Sequence, residues 1–228
     1  MKYNFTPENC WYKSVCNLYN TDACDTHCIR FSQMKYLIES SNLPKTLCFP
    51  VELEPQMIDL ASFVQLAQIK DDIVDFVKNG ENLYIFSANP GNGKTTWTAK
   101  LLLKYFEQIW STNAYSERGL FISVTDFLVN MRLSGYNNNA SNLAMMQKIK
   151  SIDLVVWDDI AVTELTAQDL DILYSLINYR ILNGLSNIFT GNLNNEQLYA
   201  ILGPRMYSRI WENSIRVEFM GMDRRGQK

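Results

Sequence analysis

The 228-residue sequence contains no run of about 18 consecutive apolar residues, so we expect no membrane-spanning helix. Its N-terminus, MKYNFTPENCW, has no hydrophobic segment of the kind found in signal peptides, so secretion is not expected. It also has no excess of positive charge. The net charge of −3 argues against electrostatic binding of duplex DNA over a large surface, but it is compatible with a local basic channel that binds single strands. With 47% apolar and 20% charged residues, the composition is that of a globular protein with one full core and a small appended module.

Three prolines separate two predicted parts of the chain. Pro44, Pro50 and Pro55 interrupt the segment SSNLPKTLCFPVELEPQ, and each proline disfavours helix before it and removes a backbone donor. We therefore predict a cysteine-rich, partner-binding module at residues 1–52, an extended connector, and a larger domain at residues 53–228.

Strand-like and helix-like segments alternate in the larger domain. We predict strands at residues 83–88, 120–124, 154–157 and 188–190, and helices at residues 57–78, 93–110, 126–133 and 167–182. This alternation is typical of βαβ units, so the predicted fold class is α/β with a parallel central sheet.

The segment YIFSANPGNGKTTWTAKLLLKYF breaks an apolar strand with turn residues and then resumes at helical spacing. Glycines let the backbone turn its N–H groups inward, and the helix N-terminus adds positive dipole, so the loop is suited to a phosphate chain. Lys94 would reach the β- and γ-phosphates of a nucleoside triphosphate, and the Thr95 hydroxyl would bind Mg²⁺. Ala88 replaces the first glycine of the G-x-x-x-x-G-K-[ST] pattern, and an ordinary strand-to-helix turn is the alternative. The predicted nucleotide-binding residues of this loop are Asn89, Pro90, Gly91, Asn92, Gly93, Lys94, Thr95 and Thr96.

Polar residues also end two later strands, where ligands lie in open α/β sheets. In SIDLVVWDDIAVTE, Asp158 is predicted to partner Mg²⁺ with Thr95, and Asp159 to orient and partly deprotonate the attacking water. The alternative is that both acids are solvated loop residues. Asn192, after SNIFTG, could hold the water or the γ-phosphate as a sensor residue, or could simply form a turn with Gly191.

Two arginines in LGPRMYSRIWE are four residues apart and would project from one face of a helix. Neither Arg205 nor Arg209 has an acidic residue four positions away, so both could bind phosphate. One of them could be an arginine finger given to a neighbouring subunit. The alternative is a surface helix with two solvated arginines.

Taken together, these stretches resemble the DnaC/DnaI helicase-loader branch of the AAA+ ATPases, which also includes the IstB-type transposition ATPases. The resemblance is carried by SANPGNGKTT, LFISVTDFLVNMRLSG, DLVVWDDIAVTE, LYSLINYRILNGLSNIFTGNLN and LGPRMYSRI, over about residues 81–212. It implies an AAA+ P-loop ATPase that binds ATP and Mg²⁺, with catalytic roles for Asp159, Asn192 and Arg209, and Arg205 beside them. Because about three dozen residues follow Asn192, we expect a much reduced lid. The candidates for a second sensor are Arg216, Arg224 and Arg225.

The function implied by this resemblance is ATP-dependent loading of a hexameric DnaB-type replicative helicase onto single-stranded DNA. Subunits would associate through Arg209, in the cytoplasm of a bacterium or a phage-infected host. The segment at residues 127–150 resembles the insertion that contacts single-stranded DNA in this family; Arg132, Lys148 and Lys150 offer charge there, and Tyr136 offers a stacking face. One alternative is an IstB-like ATPase on duplex DNA, which the net charge and the cysteines disfavour. Another is a non-hydrolysing ATP-dependent binding module, which the two adjacent aspartates disfavour.

Four cysteines cluster near the N-terminus in CWYKSVCNLYNTDACDTHC. A cytosolic ATPase is not expected to carry structural disulfides, so Cys10, Cys16, Cys24 and Cys28 are predicted to bind Zn²⁺. The metal would supply folding energy to a module too small for much core. His27 could replace one cysteine, and four free thiols are the alternative. The pattern is most similar to the loader variants of phages and prophages.

Overall fold

The computed structural model describes residues 6–25, 27–135, 139–160 and 164–224, and within them five parallel strands form one sheet. The order across the sheet is β2-β3-β4-β1-β5, so β1, β3 and β4 are inner strands. The predicted α/β fold with a parallel sheet is confirmed, and β5 is an addition to the predicted strands. The strands are β1 (Asn82–Phe86), β2 (Gly119–Ser123), β3 (Leu154–Asp158), β4 (Ser186–Gly191) and β5 (Ile215–Glu218).

Alternate residues of the inner strands enter two apolar clusters, one on each face of the sheet. Leu83 and Ile85 of β1 belong to one cluster, whereas Tyr84 and Phe86 belong to the other. Successive side chains of a strand point to opposite faces, so a strand buried on both sides is apolar throughout. The two clusters are completed by the helices α1 (Ile29–Ser40), α2 (Leu60–Asp71), α3 (Ile73–Lys78), α4 (Lys94–Ile109), α5 (Val124–Leu133), α6 (Ala140–Ser151), α7 (Ala167–Leu182) and α8 (Asn195–Tyr207).

The helix predicted at residues 57–78 is divided into three pieces. A 3₁₀ turn, Met57–Asp59, precedes α2, and the chain leaves helical geometry at Asp72 (φ −99°, ψ 20°) before α3 begins. Aspartate has a low helix propensity because its carboxylate competes for backbone hydrogen bonds. Within the described parts of the chain, no helix combines the length and the apolarity needed to cross a membrane.

Residues of the predicted N-terminal module contact the larger domain. Tyr12 is buried, and its hydroxyl donates a hydrogen bond to the carbonyl of Glu107 in α4 (3.1 Å). The backbone N–H of Phe121 in β2 donates to the carbonyl of Ser41 (2.7 Å), directly after α1. Leu37 of α1 lies in the same apolar cluster as β1. The boundary near residue 52 stays a prediction, and one apolar core is shared across it.

A single arginine joins the starting ends of two inner strands to the helices beside them. Arg180 of α7 is fully buried, and its Nε donates to the side-chain oxygen of Asn187 in β4 (2.7 Å). Its terminal nitrogens donate to the carbonyls of Ile149, Asp153 and Ser186 at 2.6 Å, 3.2 Å and 2.6 Å. Burial lowers the pKa of Arg180 to about 9, so the guanidinium stays charged at neutral pH.

Candidate nucleotide-binding site

The carboxyl ends of β1, β3 and β4 meet at one edge of the sheet, because these strands are parallel and adjacent. The loop after β1 leads into α4, β3 ends at Asp158, and Asn192 follows β4. A cavity of about 330 Å³ opens at this edge, within the size range of ligand pockets. Its lining residues are Leu53, Pro90, Gly91, Asn92, Gly93, Lys94, Thr95, Thr96, Asp159, Asn192 and Arg224.

The loop after β1 has the backbone geometry that its glycines permit. Gly91 (φ 68°) and Gly93 (φ 102°) both lie in the left-handed region, which residues with a side chain rarely adopt. Gly93 is also the N-cap of α4, so the free N–H groups of the first helical turn face the cavity side of the loop. Ala88 lies before these turns and replaces glycine without a positive φ.

Lys94 is buried at the start of α4, and its ammonium lies over the loop. The ammonium donates to the carbonyl of Asn89 (3.3 Å) and to the side-chain oxygen of Asn92 (3.4 Å). Asn92 is itself anchored through its Nδ2 to the Ser87 hydroxyl (2.5 Å). The loop thus holds a positive charge at the wall of the cavity, where a phosphate chain could bind it.

Asp158 joins the loop to the neighbouring strand. Its carboxylate accepts hydrogen bonds from the Thr95 hydroxyl (3.0 and 3.2 Å to its two oxygens) and from the Thr190 hydroxyl of β4 (2.8 Å). Burial raises the pKa of Asp158 to about 6, helped by the adjacent Asp159 carboxylate and opposed by these hydroxyls. A hydroxyl and a carboxylate at this distance are hard oxygen donors of the kind that Mg²⁺ prefers. The residues present therefore fit the predicted ion.

Asp159 and Asn192 both line the cavity. Asp159 has a left-handed backbone (φ 57°), and its N–H donates to the Thr190 hydroxyl (2.8 Å), which fixes where its side chain leaves the strand. The Oδ1 atom of Asn192 is buried without a hydrogen-bond partner among the described residues. A buried acceptor of this kind is costly unless a ligand or water donates to it. The catalytic roles of both residues stay predictions.

The two arginines predicted for a subunit interface do not belong to the described lining of this cavity. Arg205 lies in the last turn of α8, after a kink at Gly203 (φ 74°, ψ 170°). Arg209 lies in a short π-helical turn, Ser208–Glu212, and its Nε donates to Asn178 Oδ1 in α7 (2.7 Å). A role of Arg209 at a subunit interface stays a prediction.

Two of the cations on the predicted DNA route are ion-paired within the chain. Arg132 bonds to both carboxylate oxygens of Asp169, which is fully buried at the start of α7. Lys148 donates to Glu117 (2.8 Å), and the ammonium of Lys150 lies 5.2 Å from the centre of the Tyr179 ring. Two of the three expected charges are therefore already neutralised. Tyr136, the expected stacking residue, lies outside the described residues with Asn137 and Asn138, and binding of single-stranded DNA stays a prediction.

Three of the N-terminal thiols lie close enough to Cys10 to affect the pKa of its thiol. Burial raises the pKa of the Cys10 thiol, and the thiols of Cys16, Cys24 and Cys28 raise it further. Among the described residues, however, no three His, Cys, Asp or Glu side chains are arranged to hold a metal ion. His27 is instead paired with Asp25. Binding of Zn²⁺ by these cysteines stays a prediction.

Sequence analysis did not single out Leu53 and left Arg224 as one of three second-sensor candidates. Arg224 lines the cavity, whereas Arg216 donates to the carbonyl of Trp211 (3.2 Å) and lies over that ring. Arg225 lies outside the described residues. The position of Arg224 depends on contacts with residues more than 100 positions earlier, and no sequence periodicity reports such contacts.

This chain is similar to known proteins mainly in its fold. No protein-family model matches the sequence. Among sequences, the uncharacterized protein YdaV of Escherichia coli (strain K12) is 26% identical over 151 residues, or 65% of this chain. The match spans 56% of that relative's own length.

Two solved structures share the architecture. The structure of the DnaC helicase loader has a TM-score of 0.61 at 16% identity, covering 74% of this chain and 93% of that one. The structure of DnaI has a TM-score of 0.64 at 18% identity, covering 78% and 95%. The expected resemblance to DnaC and DnaI is thus confirmed at the level of the fold.

Loss of the Arg132–Asp169 pair should destabilise the protein in a pH-dependent way. Burial raises the pKa of Asp169, but hydrogen bonds from Arg132 and Thr166 outweigh it and hold the pKa at about 2. The carboxylate therefore stabilises the fold at pH values above its ordinary pKa of 3.8, and this stabilisation is lost as the pH falls towards 2. At pH 7 we expect Arg132→Ala to lower the free energy of unfolding by about 2 kcal/mol.

Urea unfolding of the variant and the wild type between pH 7 and pH 2 measures this effect. The difference should shrink in the acidic range. Lys150→Ala, which loses only a contact with the Tyr179 ring, is the control and should differ little from the wild type. A difference for Arg132→Ala that is the same at every pH would contradict the assignment.

Proposed function

We propose that this chain is an ATPase of the DnaC/DnaI helicase-loader branch, which loads a hexameric DnaB-type replicative helicase onto single-stranded DNA. The observation that carries the ATP-binding part is that Lys94 and Thr95 line one cavity, with the hydroxyl of Thr95 3.0 Å from the carboxylate of Asp158 behind it. The helicase part is supported by the similarity in fold to DnaC, a helicase loader, and to DnaI.

Different side chains around the cavity have different roles in ATP hydrolysis. Lys94 and the N–H groups of the loop bind the β- and γ-phosphates. Thr95 and Asp158 would hold Mg²⁺, which would supply positive charge to the phosphate chain. Asp159 accepts a hydrogen bond from the attacking water and orients it, while the unpartnered oxygen of Asn192 holds the same water from the other strand end.

A neighbouring subunit completes the site in this proposal. Arg209 is held through its Nε by the neutral amide of Asn178, so its positive charge is retained for an anion. Its terminal nitrogens would contact the γ-phosphate bound by the next subunit, as an arginine finger does. Hydrolysis then depends on assembly.

The predicted N-terminal module would bind the helicase. Val15, Leu18 and Ile29, which flank Cys16 and Cys28 in the sequence, are exposed by 67%, 55% and 65%. Contiguous exposed aliphatic side chains are typical of protein-binding surfaces, and these three would form such a surface. Zn²⁺ bound by the four thiols would fix this surface, and Lys150 on α6 would contact the DNA.

Substitution of Lys94 and Asp159 separates binding from hydrolysis. Lys94→Ala should abolish hydrolysis and sharply weaken ATP binding, because the loop loses its side-chain charge. Asp159→Asn should bind ATP with wild-type affinity and fail to hydrolyse it, because only the carboxylate that orients water is lost. Equilibrium titration with ATP and phosphate release measure the two effects. Wild-type turnover in Asp159→Asn would remove Asp159 from the catalytic role.

Mixing two inactive variants tests the shared site. Arg209→Ala should bind ATP normally yet lose turnover by about 10³-fold. Asp159→Asn cannot hydrolyse ATP but still offers its Arg209 to an intact neighbouring cavity. Mixtures should therefore regain part of the activity that neither variant has alone, as measured by phosphate release. No rescue at any ratio would show that Arg209 does not act between subunits, and the same mixture with Arg205→Ala examines the neighbouring arginine.

Binding to a hexameric DnaB-type helicase tests the loader assignment directly. We expect the full chain to co-elute with the helicase in gel filtration, and Val15→Asp combined with Leu18→Asp to abolish this, because charge would replace the exposed apolar surface. ATP turnover of the double variant measured without the helicase should be unchanged, which controls for misfolding. Failure of the wild-type chain to bind any such helicase would count against the loader function and leave the ATPase assignment intact.

A further inference from the structure

A second cavity lies at the edge of the sheet opposite to the nucleotide cavity, and we name it the amino-edge cavity. It is bounded by α3, by the last turns of α4 and by residues that directly precede β2, β3 and β4. Its volume is about 520 Å³, which is within the size range of ligand pockets. The described linings of the two cavities have no residue in common.

Aliphatic side chains form much of the lining of the amino-edge cavity. They are Val74 and Val77 of α3, Ile109 of α4, and Leu185 before β4. A Cβ atom at Gly184, which also lines the cavity, would meet no other atom within 4 Å, so there is open space beside it. An apolar group that entered this space would be removed from water against the aliphatic side chains.

An arginine is fixed in the same cavity by a carboxylate. The Nε of Arg118 donates to Oδ2 of Asp153, and the hydroxyl of Tyr105 donates to the same oxygen (2.7 Å). Tyr105 is buried, and burial raises the pKa of its hydroxyl, so the hydroxyl stays protonated and remains a donor. The side chains of Arg118 and Asp153 are only 31% and 30% exposed. These contacts hold the guanidinium in one orientation.

The terminal nitrogens of Arg118 are left for another acceptor. In the described part of the chain, the hydrogen bonds of this side chain involve Nε alone. Burial acts to lower the pKa of Arg118, but the hydrogen bond with Asp153 outweighs it and raises the pKa, so the guanidinium stays charged. Two parallel N–H groups on a fixed guanidinium match the two oxygens of a carboxylate.

The charges in the lining favour an anion. Arg118 and Lys78 are cations and Asp153 is an anion, so two positive charges face one negative charge. Oδ2 of Asp153 already accepts two hydrogen bonds. Asp75 lies 3.8 Å from the ammonium of Lys78, but these two side chains are 76% and 70% exposed, so water screens their interaction.

We propose that the amino-edge cavity binds a small organic acid, whose carboxylate is held by Nη1 and Nη2 of Arg118 and whose aliphatic body packs against α3 and Leu185. The guanidinium selects the carboxylate, and the aliphatic side chains select an apolar body. Tyr105 and Asp153 are positioning residues, because they orient Arg118. The site does not depend on the proposed ATP site, although α4 contributes to both cavities.

Binding of hexanoate, a carboxylate with a short aliphatic chain, tests this proposal. An acid of this size should bind with a Kd of about 1 mM. In NMR spectra of the full chain, we expect saturable shifts of the amide signals of Arg118, Gly184 and Leu185. Acetate, which lacks the chain, and hexanol, which lacks the carboxylate, should each bind at least about tenfold more weakly. Failure of hexanoate to approach saturation at about 10 mM would overturn the proposal.

Substitutions separate the arginine from the aliphatic lining. Arg118→Gln should weaken hexanoate binding about tenfold or more, because a charged donor is lost. Val74→Trp adds bulk to the lining and leaves the pair of Arg118 and Asp153 in place, so it should also weaken binding. Arg216→Gln is the control, because this exposed arginine lines a different cleft. Wild-type affinity in both of the first two variants, or an equal loss in the control, would overturn the proposal.

Two further results would assign the ligand or the site differently. The capped tripeptide acetyl-Leu-Glu-Leu-amide carries its carboxylate as an acidic segment of another protein would. If it binds more tightly than hexanoate, the assignment to a small acid is overturned. Shifts confined to the amides of Lys94 and Thr95 would place hexanoate in the nucleotide cavity and would overturn it as well. No arm of the experiment uses ATP, so its outcome is independent of the proposed function.

Discussion

The guanidinium of Arg180 is the contact on which the layered arrangement of this protein depends. It is fully buried on α7 and binds the carbonyls at the end of α6 and at the starts of β3 and β4, together with Asn187. A buried charge is tolerated only when its donors are satisfied, so these backbone oxygens must be held in place around it. Because β3 and β4 start in register there, they also end in register at the opposite edge, where Asp158 and Asn192 lie.

At that opposite edge, two threonines and an aspartate connect three elements. The hydroxyl of Thr190 on β4 bonds to the carboxylate of Asp158 and accepts from the N–H of Asp159, and Thr95 on α4 bonds to the same carboxylate. The start of α4, β3 and β4 are therefore positioned relative to one another by hydrogen bonds within the chain. Preorganised polar groups of this kind are what phosphoryl-transfer sites require, because the protein contributes mainly position and charge.

The helix α7 links the core to the proposed subunit interface. Besides Arg180, it carries Asn178, which bonds to Arg209, and it begins with a capping box in which Thr166 and Asp169 bond to each other. Asp169 also binds Arg132 of α5. Assembly, if it acts through Arg209, is thus connected to the sheet through one rigid element.

The sequence by itself was sufficient for those features that depend on neighbours along the chain. The phosphate loop, the strand ending in Asp158 and Asp159, and the α/β alternation follow from local apolar periodicity and turn residues, and the helix at residues 167–182 was located to the residue. The division of the helix at residues 57–78 reflects a small local preference that packing can override in either direction, and it was missed.

Tertiary structure alone decided which cations are already ion-paired within the chain and which residues from late in the chain line the cavity. Arg132 and Lys148 look like free cations in the sequence, but they pair with Asp169 and Glu117, 37 and 31 positions away. Arg224 looks no different from Arg216 until the chain after β5 brings it beside Gly91 and Asp59. Local patterns report the periodicity of burial within an element. They carry no information on which side chains from distant elements meet, because that depends on how the elements pack.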